Sequence, residues 1–471
     1  MNSEVKITIT GTGFVGLVTA AVFADKGFSV VALDIDQKKV DTVNKGEAFF
    51  FEPNLPPLIQ RVILKKKTLT ASTNIVDSLK SSYVTFICVG TPSQDDGSCD
   101  LQYIEQSARD IGRAIKEKSE YQLVIVKSTI VPGTTRNLIK KAIEEESGKK
   151  AGEDFGLCMS PEFLREGQSV HDAVYPDRII IGEYDENSGA LLEGIFRVLY
   201  SEQTDEYTKN WEAIYNKQVH CPEIVRFSLE TAECIKYANN SFLATKISFI
   251  NEFANICERI EGVDINNVAK GIGLDFRINP NFLRAGAGFG GSCFPKDVKA
   301  IMKFAKDIGY EPKILKSVLD VNAHQAKRIV ELAEEKLETL SGKKVCILGL
   351  SFKPETDDMR SAPSIKIIDQ LLSKGAKVIA WDPKAMSEAK KKHWIGDKIA
   401  YADSIHEALK DADVCLLITE WDVFRGLEPN DFKSMKNPIL IDGRRIYEPK
   451  RFLKEGINYS GIGLKSKQDL K

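Results

Sequence analysis

The chain of 471 residues lacks most of the features that mark a specialised class of protein. It has no charge bias: 65 Lys and Arg against 67 Asp and Glu leave a formal charge of -2. That balance argues against a nucleic acid or other polyanion held by bulk electrostatics. It has no uninterrupted apolar run of the ~18 residues needed for a transmembrane helix. MNSEVKITIT enters a strand pattern without a basic segment followed by an apolar stretch, so no secretory signal is expected. Histidine is scarce, and the five present do not cluster with the cysteines. The nine cysteines are scattered, odd in number and never in CxxC spacing, which speaks against a zinc site or a disulfide framework. No metal is expected. Apolar residues at 43% and charged ones at 28% fit a globular chain of two or three domains. The expectation is a soluble, cytoplasmic, multidomain protein.

Short β-branched runs at 5–10, 29–34, 84–89, 123–127, 155–159 and 178–182 alternate with amphipathic stretches such as 17–26 and 101–118. Several runs are continuously apolar, as in strands buried on both faces of a parallel sheet. Strand–helix alternation over this length means a doubly wound α/β domain. The segment 200–221 is polar, contains Tyr and Trp, and shows no clear strand. From 228 to 261 almost no helix breaker occurs until Gly262, and Asp264 reads as the N-cap of another helix at 265–270. A helix of some thirty residues suggests a connector and a dimer surface. Alternation resumes with runs at 344–350, 377–382, 414–419 and 439–442. VKITITGTG…SVVALDI is weakly echoed by KKVCILGLS…KVIAWDP, each a strand, a Gly turn, a helix and a strand ending in Asp. The expected parts are a dinucleotide-binding domain at 1–225, a helical dimerisation domain at 226–330 and a second sheet domain at 331–471. The polar tail 465–471 is expected to fray.

Gly11-Thr12-Gly13-Phe14-Val15-Gly16 follows the first strand and opens a helix. There Gly11 permits a tight turn, Gly13 lets backbone approach a pyrophosphate, and Gly16 lets helix and strand pack closely. The helix N-terminus adds amide donors and partial positive charge. Asp34 ends the second strand, where a carboxylate accepts hydrogen bonds from ribose hydroxyls and repels a 2′-phosphate. NAD is therefore favoured over NADP, with Lys38 and Lys39 close by as the counter-indication. The bland reading is a glycine turn in a domain that binds nothing. Thr91 in VGTP and Thr129 in KSTIVPGT sit at later strand ends, where open α/β sheets bind ligands, although each alone is also an ordinary turn residue.

The strongest chemical signal is GAGFGGSCFPKD at 286–297. Four glycines in six residues make backbone amides available and allow a ligand close approach. Cys293 comes directly after them at a helix start, where a thiolate is stabilised and nucleophilic. Asp297 lies four residues on, sharing a helical face with it. A small buried Cys beside a glycine turn is the alternative. Lys236 and Asn240 are likewise four apart in an apolar stretch, a cation and an amide able to hold an oxyanion, or simply a solvated helix face. Glu162 and Glu166 in SPEFLREG follow another strand end and are candidates for base chemistry.

In order along nearly the whole chain, GTGFVGL, VGTP, STIVPGT, PEFLREG, KYANNSF, NPNFLRAGAGFGGSCFPKD, LGLSFKPETDDMR and IDGRR resemble the UDP-glucose/GDP-mannose dehydrogenase family. The resemblance implies an α/β fold of two Rossmann-like doubly wound domains joined by a long central helix that forms a homodimer. It implies NAD in the first domain and a UDP-sugar held towards the second. The implied chemistry is a two-step, four-electron oxidation of a sugar C6 alcohol to a carboxylate with two NAD. UDP-glucose is the leading substrate, and GDP-mannose or a UDP-N-acetylhexosamine is the alternative. Asp297, or a water it orients, would take the hydroxyl proton with Lys236 assisting. Cys293 would attack the aldehyde and pass through a thiohemiacetal to a thioester. Lys236 and Asn240 would stabilise oxyanions, while Glu162, Thr129 and Asp297 position the hydrolytic water. With the motif reading, NAD falls to Gly11, Gly13, Phe14, Val15, Gly16, Asp34, Lys39, Thr91, Thr129, Glu166, Lys296 and Arg360. The UDP-sugar falls to Glu162, Phe163, Leu164, Arg165, Lys236, Asn240, Arg277, Phe282, Leu283, Gly290, Phe294, Lys353 and Arg444, with Arg277 reaching in from the partner subunit.

Members acting on N-acetyl sugars usually carry His before the Cys, where this chain has Ser292. A one-step hydroxyacid dehydrogenase would not need Cys293, and a non-catalytic sensor would need neither the Cys–Asp nor the Lys–Asn pair. The segment 200–221 is longer than the family's usual link, which leaves a surface insertion, a dimer element or a lid as its expected role.

Overall fold

The computed structural model describes residues 5–203, 205–392 and 395–465; all of the tail expected to fray except Lys465 lies outside them. The chain divides into two compact units, Met1–Ala238 and Asn239–Lys471.

The first unit is built on eight strands: β1 Lys6–Thr10, β2 Ser29–Leu33, β3 Leu69–Ser72, β4 Val84–Ile87, β5 Gln122–Val126, β6 Phe155–Met159, β7 Arg178–Glu183 and β8 Glu223–Ser228. Their order is β3-β2-β1-β4-β5-β6-β7-β8. The first six are parallel; β7 then runs antiparallel to β6, so the purely parallel expectation is corrected at that side of the sheet. β4, β5 and β6 are buried along their whole length because helices cover both faces. The order reverses between β1 and β4, and the carboxyl ends there form the crevice in which such sheets bind ligands.

The second unit repeats the plan with β9 Lys344–Leu348, β10 Lys377–Trp381, β11 Ala400–Tyr401, β12 Val414–Leu417, β13 Ile439–Asp442 and β14 Asn458–Gly461. All are parallel, in the order β11-β10-β9-β12-β13-β14, with the same switch point after the first strand. The sequence echo extends to hydrogen bonds. Gly11 N donates to Leu33 O at 2.8 Å, and Gly349 N donates to Trp381 O at 3.0 Å, both glycines having positive φ. Thr12 N donates to Asp34 at 3.0 Å, and Leu350 N and Ser351 N donate to Asp382 at 2.7 and 3.1 Å.

The long helix spans Leu229–Cys257, 29 residues or about 43 Å, and a separate helix Ile265–Gly273 is capped by the Asp264 side chain on Asn266 N. The 200–221 segment is more than a surface loop. It contains the helix Glu206–Tyr215, started by a capping box between Asp205 and Thr208, and it buries Tyr207 and Trp211 in the core of the first unit. Trp211 Nε1 donates to Asp25 at 2.9 Å, and Arg61 grips the same carboxylate with two bonds of 2.8 Å. The apolar residues of this segment recur at helical spacing among many charges, which is why no strand was visible.

Candidate active site

In the first unit the three motif glycines have separate physical jobs. Gly11 has φ +87°, and a Cβ there would stand 2.9 Å from Cys88 O. A Cβ on Gly16 would overlap the carbonyl oxygen of Gly11, so only glycine lets the helix Phe14–Lys26 start so close to the turn. A Cβ on Gly13 would meet nothing within 4 Å. The backbone is open at that point, and the helix begins there without a side-chain cap, leaving its first amides and dipole for an anion. Phe14 packs on Phe50 at 5.2 Å, and Val15 lies on the adjoining core. Asp34 accepts from the Thr12 amide at 3.0 Å, the Thr12 hydroxyl at 2.5 Å and the Asp36 amide at 3.0 Å, with Lys39 Nζ at 3.6 Å. Burial opposes its ionisation, yet the bonds from Thr12 and Asp36 and the charge of Lys39 outweigh it and hold the carboxyl below 3.8. A fixed, ionised carboxylate at the end of β2 fits the ribose of NAD and disfavours a 2′-phosphate.

Beyond β4 and β5, Thr91 Oγ1 donates to Thr129 O at 2.9 Å and Ser128 Oγ to Val89 O at 2.7 Å, which ties the two strand ends together. Beyond β6 lies a buried ion pair. Lys236 Nζ, on the long helix, donates to Glu162 Oε1 at 2.8 Å and to Glu162 O at 2.7 Å, and the Leu164 amide donates to Oε2 at 2.6 Å. Burial would raise the Glu162 carboxyl; the charge and bond of Lys236, the Leu164 amide and Lys127 prevail and lower it below 4.5. Lys127, directly after β5, escaped the sequence reading, although a cation closing an apolar strand is a visible signal. Burial pushes its amine down, against the pull of Cys88 and Glu162. Burial also pushes the Cys88 thiol up to about 12, which removes it as a nucleophile at neutral pH. The Phe163 ring has Arg178 at 3.8 Å and Lys236 at 5.4 Å, Leu164 packs on the core, and Glu166 is half-buried in the same loop.

In the second unit Cys293 is the N-cap of the helix Phe294–Asp307, half-buried, with Ser292 Oγ 3.5 Å from its sulfur. The positive end of that helix favours the thiolate. One turn on, Asp297 is 1% exposed, with Lys296 Nζ on one oxygen and Asn240 Nδ2 on the other, each at 2.6 Å. Of the four glycines before Cys293, Gly286 and Gly291 spend their amides inside the unit rather than offering them to a ligand. They let the chain press against its own unit. The amides of Gly286, Ala287, Phe289 and Gly291 donate to Asn251, Gly443 O, Asn322 and Arg360 O at 2.7–2.9 Å. A Cβ on Gly290 would overlap Ser361 O, and one on Gly291 would lie 2.7 Å from the Phe352 ring.

Arg444, just after β13, donates to Ile418 O at 2.6 Å and Gly288 O at 3.1 Å, and its Nη2 is buried with no hydrogen-bond partner among the described residues. Phe282 and Phe294 rings lie 6.3 Å apart, and Lys353 sits over Phe352. Three arginines expected at ligands pair with nearby carboxylates, Arg165 with Asp172, Arg277 with Asp275 and Arg360 with Asp358, and all three are exposed. Leu283 is a core residue. Asn251 and Asn322, which grip the cysteine loop, had no signal in the sequence. Among the described residues no group of three or more His, Cys, Asp or Glu is placed to hold a metal.

Two glycine turns with matching bonds, an oriented carboxylate and a cysteine at a helix cap lead to comparison with known proteins. Family models match residues 5–200 as an NAD binding domain, 230–324 as a central domain and 346–449 as a UDP binding domain, all of one family. The chain belongs to the UDP-glucose/GDP-mannose dehydrogenase family. Like other members of that family, it is an oxidoreductase that uses NAD, bound in the first unit. It is 41% identical to the UDP-glucose 6-dehydrogenase AglM of Haloferax volcanii, over 97% of this chain and 100% of the relative. It is 38% identical to the UDP-glucose 6-dehydrogenase TuaD of Bacillus subtilis, over 97% and 93%. Among solved structures, a UDP-glucose dehydrogenase from Pyrobaculum islandicum superposes with a TM-score of 0.87 at 36% identity, covering 98% of each chain.

Proposed function

We propose that this chain oxidises UDP-glucose to UDP-glucuronate in two successive NAD-dependent steps, with a covalent bond to Cys293 between them. The observation that carries the reading is Cys293 at a helix cap, with Asp297 one turn on and both its oxygens held. The curated relatives at 36–41% identity bear the name UDP-glucose 6-dehydrogenase, YtcA of Bacillus subtilis as a putative one. Dehydrogenases named for acetamido sugars align at 25–27%, and one named for GDP-mannose at 33%, which favours UDP-glucose.

When bound, NAD supplies the acceptor for one hydride in each step. In the first, the C6 alcohol loses its hydroxyl proton to Asp297, directly or through a water, and becomes an aldehyde. The Cys293 sulfur then adds to the carbonyl carbon, and the Lys236 ammonium and Asn240 amide stabilise the oxyanion. In the second, the thiohemiacetal loses a proton and a hydride and becomes a thioester. Water finally breaks the C–S bond, giving the carboxylate and returning the thiol. Glu162, with Thr129 and Asp297, positions or activates that water. The buried, unpartnered Nη2 of Arg444 suits a diphosphate oxygen. The three-part division at 225 and 330 describes the functional modules, and the cytoplasm is the compartment that suits nine cysteines without a disulfide.

The enzyme acts as a homodimer of the long helix. Phe242, Phe249, Phe253 and Ile256 recur at spacings of seven, four and three and are exposed, which is the stripe of a helix–helix seam. The deciding experiment is NADH yield from limiting UDP-glucose, GDP-mannose and UDP-N-acetylglucosamine offered separately. Two NADH per UDP-glucose is expected, and one would refute the covalent step. In Cys293→Ser, steady turnover falls by more than about 1000-fold; unchanged turnover would sink the role of the thiol.

A further inference from the structure

We propose that Asn322 is a positioning residue for Cys293, acting through the backbone of Phe289; this rests on Cys293 being the covalent nucleophile. Asn322 lies on the helix Lys313–Leu337. Its side-chain oxygen accepts from Phe289 N at 2.7 Å, and its side-chain nitrogen donates to Phe289 O at 3.0 Å. Two bonds to one residue fix both the place and the rotation of that peptide.

The grip matters because Phe289 leads straight into Gly290 and Gly291. Both lack a Cβ and are conformationally permissive, and Gly291 has φ +84°. A glycine pair running into a nucleophile does not hold the nucleophile still by itself. The loop is therefore pinned at two points: by Asn322 just before the pair, and by Gly291 N on Arg360 O at 2.8 Å within it. Position 288 agrees independently. Gly288 has φ +98°, and a Cβ there would stand 2.8 Å from Asn322 Oδ1, so the glycine makes room for the amide. The effect also has a direct route to the cysteine helix. The Phe289 ring meets the edge of Phe294, its first residue, at 5.9 Å and 84°.

Displacing a reacting atom by about 1 Å costs on the order of 100-fold in rate. Only the second half of the reaction needs the carbon–sulfur bond. Loss of the grip should then let aldehyde escape before Cys293 captures it. The test compares wild type, Asn322→Ala and the nearly isosteric Asn322→Asp, which keeps the acceptor and sets an oxygen against Phe289 O. NADH per limiting UDP-glucose is measured with an amine trap for free aldehyde, alongside the rate of Cys293 alkylation by iodoacetamide, mapped by peptide mass. In both variants the expected ratio falls from two towards one, trapped aldehyde appears, and the alkylation rate departs from wild type while KM stays near its wild-type value. Variants that lose activity but keep a ratio of two have lost folded protein only, and that result overturns the proposal. If wild type itself gives one NADH, the four-electron reading has failed separately. Wild-type alkylation rates in both variants would then dispose of the positioning role on their own.

Discussion

Lys236 and Glu162 show what a pair of residues can and cannot disclose before folding. Each stood out alone, one in an apolar helix and one after a strand end, but 74 positions separate them and nothing in the sequence joins them. Folding makes each the other's counter-ion. Removing one partner of a buried pair costs about 3–5 kcal/mol, because the remaining charge is stranded. Glu162→Gln should therefore lower the melting temperature at pH 7. The Glu162 carboxyl sits below its ordinary 4.5 in the folded chain, so the pair's contribution is complete above that value and is lost as pH falls through the folded one. Melting curves at pH 7 and at stepwise lower pH check this: the gap between wild type and variant narrows as pH falls below 4.5. A gap that persists in acid would mean that shape, not charge, holds the site. Cys293 and Asp297 were legible together because four residues on one helix is a local fact. Lys127 and Asn322 were not, since each gains its meaning from a strand or loop far away in sequence.

Among the secondary elements, the turn after β1 carries the clearest contrast. Gly16 is crowded by Gly11 and Gly13 faces open space, so the same substitution should act differently at each. Gly16→Ala is expected to destabilise the protein by at least about 2 kcal/mol, seen as a lowered melting temperature. Gly13→Ala, with its ordinary negative φ, should leave stability within about 0.5 kcal/mol and weaken NAD binding by roughly tenfold, read by titration calorimetry. Equal losses of stability at both would refute the division of labour. The central strands were readable from their apolar runs. The four strands that went unread, β3, β8, β11 and β14, are the outermost strands of the two sheets. β11 has only two residues, and β3, β8 and β14 mix polar residues with apolar ones, so they lack the uniform apolar signal. That Gly286 and Gly291 serve the protein's own packing was hidden for a related reason: spacing shows that chain passes closely there, but not whether a ligand or the protein fills the space.

For the molecule as a whole, two sheets of the same strand order serve different ligands, and the echo shows where they part. In the first unit a helix starts at Phe14, immediately after the glycine turn; in the second the next helix waits until Pro363. Asp34 is held by Thr12, the Asp36 amide and Lys39, whereas Asp382 also accepts from Trp421 Nε1. The second unit thus lacks a helix end directly after its glycine turn, where the first has one for a pyrophosphate. Order of motifs made the family readable; the proposed dimer rests on an exposed stripe of the long helix. If the exposed phenylalanines form the seam, Phe249→Arg with Phe253→Arg should halve the mass seen by light scattering, to 52.4 kDa. An unchanged mass would remove the seam from this helix.

The indoles offer an optical handle on the two units. Trp211 is the one tryptophan of four in the first unit, sealed in the core with its nitrogen on Asp25. Trp421 is sealed in the second unit against Ser351 and Asp382. Emission from a chain keeping only Trp211 reports the first sheet, and emission from one keeping only Trp421 reports the second. Denaturation curves that coincide would mean a single cooperative transition; curves that separate would place the weaker half of the molecule by colour alone.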